Sequence, residues 1–159
     1  NHKKFEEKLE QSGIPHCILR PVGLFSGLHD LAIMAKRNMI PVIGDGEAKT
    51  NSISQTDMAE VVLNTLKNRI TGIRIIGGPE IHSRYEMALM IQERFGAKIV
   101  KIPSTIANVG AFLPQFFDKN LHDKVGFFKY ITTHEMIGEK HGVITFRQYL
   151  NSIDENELP

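Results

Sequence analysis

The chain has 159 residues, 42% of them hydrophobic, which is close to the usual size of one domain and enough to bury a core without staples. Nineteen basic residues against eighteen acidic leave a formal charge of +1, an argument against a surface made for phosphate backbones or acidic membranes, so neither nucleic acid nor membrane is expected as a partner. The single cysteine, Cys17, cannot close an intramolecular disulfide, and no apolar run approaches the roughly 18 residues of a membrane span; a reducing, cytoplasmic compartment is the expectation.

The first residues already read as helix, as if the chain were cut from something longer. Lys4 to Gln11 carries Phe5 and Leu9 four apart among charges, a single buried stripe, and stops at Ser12-Gly13, where glycine suits a left-handed cap. Ile14 to Pro21 is a short, mostly apolar run bounded by prolines and predicts a buried strand; its continuous apolarity suggests cover on both faces, as in a parallel α/β sheet. A glycine-rich stretch, Val22 to Gly27, leads into a short predicted helix from Asp30 to Arg37 and a brief strand, Ile40 to Ile43, that ends in the turn Gly44-Asp45-Gly46. Met58, Val61, Val62, Thr65 and Leu66 then keep helical spacing, with Ser54 or Thr56 as the cap.

Ile73 to Ile76 predicts the next strand, closed by Gly77-Gly78-Pro79. Ser83-Arg84-Tyr85-Glu86 fits a capping box, and Met87, Met90, Ile91 and Phe95 form the apolar stripe of a helix ending at Gly96. A strand from Lys98 to Ile102 follows. Between Ser104 and Lys129, apolar residues recur at helical spacing around Pro114 and Gly126, predicting two short helices with an aromatic-lined surface whose ordinary place is the core. Thr145-Phe146-Arg147-Gln148 is a second capping box and opens a last helix through Tyr149, Leu150 and Ile153.

Most chemistry finds no foothold. The histidines are scattered, none at the i, i+4 spacing of a helical zinc site, so no metal is expected. Cys17 lies mid-strand in apolar company, the usual setting of an inert thiol, and no Gly-x-Ser-x-Gly elbow occurs. No Gly-x-Gly-x-x-Gly run is present to bring backbone against a pyrophosphate at a helix N-terminus. A Tyr-x-x-x-Lys pair is missing as well: Leu89, His134 and Ile153 stand four beyond the three tyrosines.

The order of the pieces nevertheless carries a resemblance. A charged helix, then Ser12-Gly13-Ile14-Pro15, Ile18-Leu19-Arg20-Pro21-Val22-Gly23-Leu24-Phe25, Gly44-Asp45-Gly46 and Ile53-Ser54-Gln55-Thr56-Asp57-Met58-Ala59 resembles the second half of an atypical short-chain dehydrogenase/reductase of the NmrA-like or nucleotide-sugar-epimerase-like kind. Gly77-Gly78-Pro79-Glu80 and the terminal helix fit that family's C-terminal region, so the resemblance covers nearly the whole chain. It implies an α/β fold: the C-terminal part of a Rossmann-like doubly wound parallel sheet, residues 1–78, with a small, mainly helical substrate-side subdomain, residues 79–159.

The family's first half, which supplies the glycine-rich phosphate loop and the catalytic tyrosine, has no counterpart here. By resemblance, Lys3 or Lys4 is the catalytic lysine that holds the nicotinamide ribose and lowers the tyrosine's pKa, though His2 could occupy that register and solvated helix charges explain both lysines equally well. Pro21, Val22, Gly23 and Leu24 would pass the nicotinamide of NAD or NADP; Phe25, Asn51 and Ser52 would meet a small-molecule substrate. A satisfied loop hydrogen bond accounts for Asn51 and Ser52 at least as well. Asp57 is expected to serve the helix N-terminus rather than catalysis. The implied function is that of a C-terminal part of an NAD(P)-dependent oxidoreductase or epimerase, inactive alone; the alternatives are a non-catalytic NmrA-like dinucleotide sensor or scaffold, and a homodimer formed through an exposed sheet edge.

Overall fold

The computed structural model describes residues 2–105, 130 and 133–154; the aromatic run from Ile106 to Phe128 lies outside the described residues. The elements in chain order are α1 (His2–Gln11), β1 (Cys17–Pro21), a 3-10 turn (Phe25–Leu28), α2 (His29–Lys36), β2 (Met39–Ile43), β3 (Lys49–Thr50), α3 (Gln55–Lys67), β4 (Gly72–Gly77), β5 (His82–Ser83), α4 (Arg84–Phe95), β6 (Lys98–Ile102), β7 (Glu139–Lys140) and α5 (Phe146–Ser152).

Local signals place the helix ends. Ser54, not Thr56, caps α3, accepting from the Asp57 amide at 2.9 Å. Both capping boxes close: Ser83 with Glu86 on α4, and Thr145 with Gln148 on α5. Gly96 ends α4 in the left-handed conformation at φ 72, where a side chain would be strained. Backbone hydrogen bonding at Ser83 holds the Glu86 carboxyl below its ordinary 4.5, and a hydrogen bond from Arg74 does the same for Glu139. A depressed carboxyl stabilises the fold above its unfolded pKa and loses that contribution as pH falls through the folded value. The thermal midpoint is therefore expected to drop on acidification below about pH 4.5, and Glu86→Gln to flatten part of that drop while costing stability at pH 7.

Among the described residues the strands form three sheets. β1, β4 and β7 run parallel in that order, with Cys17 opposite Gly72 and Pro21 opposite Ile76. The parallel sheet expected from the sequence is thus present, but the Ile40 and Lys98 strands do not extend it. β2 and β6 pair parallel with each other, and β3 pairs antiparallel with β5.

Two apolar clusters follow this division. Phe25, Ile40, Val42, Met87, Ile91 and Phe146 belong to the larger, where α2, α4 and α5 close over the β2–β6 side. Ile53, Val61 and Ile76 form the smaller, between α3 and the three-stranded sheet, with Leu19, Leu24 and Met58 against it. Phe25 already packs with the first cluster and Ile76 with the second, so the packing units interleave along the chain.

Two apolar stripes are not buried as expected. Phe5 of α1 is 65% exposed and Leu66 of α3 is 70% exposed; Val62 is exposed too, as are Ile73 and Ile75 on β4. The reason is positional. Among the described residues β1 has β4 on one side only, with Glu6 of α1 reaching Arg20 and Met58 of α3 in the same cluster as Leu19. Because the Val22 amide donates to Ile76 of β4 at 2.9 Å, parallel-ladder alternation turns the Cys17 and Leu19 amides outward, while Pro21, which has none, occupies the third outward position.

Candidate functional site

Loops gather at the carboxyl ends of β1 and β4, the end at which open parallel sheets take ligands. The first runs from Pro21 to Phe25. Its Gly23 carbonyl accepts from the Ile53 amide at 2.9 Å, and its Phe25 amide donates to the Ile53 carbonyl at 3.0 Å. This places Pro21–Leu24 directly beside Ser52 and Ile53. The amides of Gly23 and Leu24 enter none of these bonds.

Gly23 lies close to Ser52. A Cβ there would lie 2.6 Å from the Ser52 hydroxyl oxygen and 3.5 Å from its Cβ, so turning the hydroxyl about χ1 relieves the one close contact. Gly23→Ala is expected to cost about 1 kcal/mol or less, and still less when Ser52→Ala removes the opposing oxygen. Urea unfolding of the two single variants and the double variant measures this.

The second loop, 50–53, is held from behind. Asn51 is 1% exposed; its amide nitrogen donates to the carbonyls of Gly78 (3.1 Å) and Gly138 (3.0 Å), and its oxygen accepts from the Gly138 amide (2.8 Å). The loop hydrogen-bond reading of Asn51 is therefore the geometry found, with the side chain bracing β4 against the approach to β7. Asp57, 6% exposed, keeps its place in the first turn of α3 but also reaches across to accept from the Val143 and Ile144 amides, at 3.2 and 2.9 Å.

A third segment, Gly77 to His82, closes the group. In the β3–β5 pair Thr50 stands directly opposite His82, so their side chains share a face. The His82 Nε2 lies 3.1 Å from the Glu80 carboxylate. Thr50, Glu80 and His82 carried no local sign of a site in the sequence: two-residue strands are too short to show alternation, and only their pairing would have joined them.

Phe25 is buried, its ring 5.1 Å from that of Tyr149 and 5.5 Å from that of Phe146. Burial pushes the Tyr149 phenol above its ordinary pKa of 10. Between α2, β2 and α4 lies an apolar cavity of about 200 Å³, lined among others by Leu31, Met34, Ile40 and Met87, with Asp30 and Arg84 as its charged residues. Desolvation lowers the Arg84 pKa from its ordinary value.

Lys3 and Lys4 are exposed in the first turn of α1. Glu6, one turn on, pairs with Arg20 at the end of β1. That ion pair sets the first turn of α1 toward the carboxyl end of β1, the end from which Pro21–Leu24 departs. Lys3 and Lys4 are thus brought to the same end of the sheet as Ser52, not into contact with it. Among the described residues no three His, Cys, Asp or Glu side chains gather as a metal site would require, and no helix is long and apolar enough to cross a membrane.

No known protein-family profile matches the chain, and no curated protein matches it. Solved structures do. A nucleoside-diphosphate-sugar epimerase from Staphylococcus aureus aligns over 92% of this chain and 56% of its own, with a TM-score of 0.66 and 15% identity. A dTDP-glucose 4,6-dehydratase from Bacillus anthracis, in complex with NAD, aligns over 59% of this chain and 34% of its own (TM-score 0.49, 18% identity). A UDP-N-acetylglucosamine 4-epimerase from Bacillus cereus aligns over 58% and 36% (TM-score 0.47, 23% identity). The match to the S. aureus protein establishes the fold as Rossmann-like α/β, as the sequence resemblance implied. The chain spans about a third to just over half the length of the solved structures it matches.

Proposed function

We propose that these residues are the nicotinamide- and substrate-facing half of an NAD(P)-dependent oxidoreductase or epimerase, and that the chain is inactive unless further strands cover the open side of β1. The single observation that carries this reading is the convergence of Pro21–Leu24, Ser52 and Phe25 at the carboxyl ends of two parallel strands, beside a strand edge that has no partner among the described residues.

In this reading the Gly23 and Leu24 amides hold the nicotinamide carboxamide, and the bound cofactor supplies hydride transfer. Phe25 and Ser52 face the substrate, while Asn51, its amide saturated, positions Ser52 without touching it. Lys3 or Lys4 presents a cation at the same end of the sheet, where it would favour the ionised form of a phenol contributed from outside this chain. The pyrophosphate cradle must come from outside too, since no glycine-rich loop here opens a helix.

The exposed Ile73 and Ile75 on β4, and Val62 and Leu66 on α3, support the same reading: they are uncovered apolar side chains next to the β1 edge, in a chain covering 56% of its S. aureus structural neighbour. Amide hydrogen exchange tests it. In the chain alone, Cys17 and Leu19 amides are expected to exchange without protection. When a polypeptide supplying further strands pairs with β1, as this reading requires, they should slow by about 100-fold or more. Unchanged exchange would remove the reading. A second copy is the other occupant this edge would accept; a monomer at every concentration in sedimentation equilibrium would exclude it.

A further inference from the structure

Between Phe25 and the β3–β5 pair lies a second cavity, of about 10 Å³, enough for one oxygen-sized group. Thr50, Ser52, Glu80, His82, Phe25 and Phe146 are among the residues that line it. Thr50 is 1% exposed, and its hydroxyl oxygen has no hydrogen-bond partner among the described residues. A buried hydroxyl without a partner costs about 1–3 kcal/mol, so native structures leave few of them. The neighbouring imidazole is oriented by Glu80 through Nε2 and stands across the strand pair from Thr50.

We infer that this cavity is a subsite for a single neutral oxygen, a hydroxyl or carbonyl of a small molecule, received by Thr50 Oγ1 with His82 beside it. The charge of the lining decides between ligand classes. Among the described residues no lysine or arginine lines the cavity and a carboxylate does, which repels phosphate or carboxylate groups; two phenylalanine rings exclude anything that must stay hydrated. What remains is an oxygen on a largely apolar body, or water in its absence. Glu80 and His82 are partly exposed and mark the mouth, so the site fills from the solvent side. The inference draws on the proposed function only in naming this the substrate end of the fold; the cavity and the orphaned hydroxyl stand without any cofactor.

Methanol serves as the probe, in crystals of the full 159-residue chain. The expected result is one oxygen peak within hydrogen-bond distance of Thr50 Oγ1, replaced by methanol on soaking. It should be absent in Thr50→Val, which keeps the side-chain shape, and retained in Thr50→Ser. A dry cavity at a resolution that shows other buried waters would overturn the inference. So would a water that methanol never displaces, since the site would then be structural. Failure of the dinucleotide reading changes none of these readouts, and a dry cavity leaves that reading intact.

Discussion

Asp57→Ala is expected to destabilise the fold by about 3 kcal/mol, lowering the thermal midpoint by roughly 6–12 °C. The carboxylate sits in the first turn of α3, where its charge favours the helix dipole, and also accepts from the Val143 and Ile144 amides. Alanine removes both charge-assisted bonds and strands two amides in a half-buried loop. Space is equally committed, because a Cβ on Gly142 would strike the Asp57 side chain. Asp57→Asn keeps an accepting oxygen and is expected to lose only about 1 kcal/mol. If alanine and asparagine cost the same in chemical denaturation, the contribution is not the pair of bonds.

Gly77→Ala is the second large effect, a loss of about 3 kcal/mol or more. A Cβ at Gly77 would occupy the volume of the Asn51 amide, which is itself fixed by three hydrogen bonds. Accommodation would have to break those bonds or bend β4 at the point where it meets β7. The loss should be strongly non-additive with Asn51→Ala, since removing the amide clears the space the new methyl needs. Asn51→Ala alone is costly as well, because it leaves the Gly138 amide and two carbonyls without a partner. Additive losses in the double variant would show that the two residues do not share one obstruction.

The elements read most accurately from sequence were those whose cause is local. Ser83 with Glu86 and Thr145 with Gln148 are three residues apart, so both capping boxes were legible, as was the glycine end of α4. Asn51 and Asp57 are legible as polar residues of a loop and a helix start, but their partners lie up to 87 residues further on, and no spacing rule reaches that far. Helical periodicity named the apolar stripes of α1 and α3 without saying whether anything covers them, and Phe5 and Leu66 are exposed. Strands β2 and β6 were found as strands, yet their pairing with each other rather than with β1 follows from packing under α2 and α4. The Thr50–His82 pairing arises from two strands of two residues each, too short for any pattern.

The central claim is that the dinucleotide site is divided, with the nicotinamide-facing loops in these residues and the phosphate cradle elsewhere. Titrating NADH and NADPH into the isolated 159-residue chain, followed by nicotinamide fluorescence, tests it most directly. Binding weaker than about 1 mM is predicted for both, because the Pro21–Leu24 loop alone offers a few backbone bonds and no partner for the pyrophosphate. Saturable binding at about 1 μM or tighter would contradict the account.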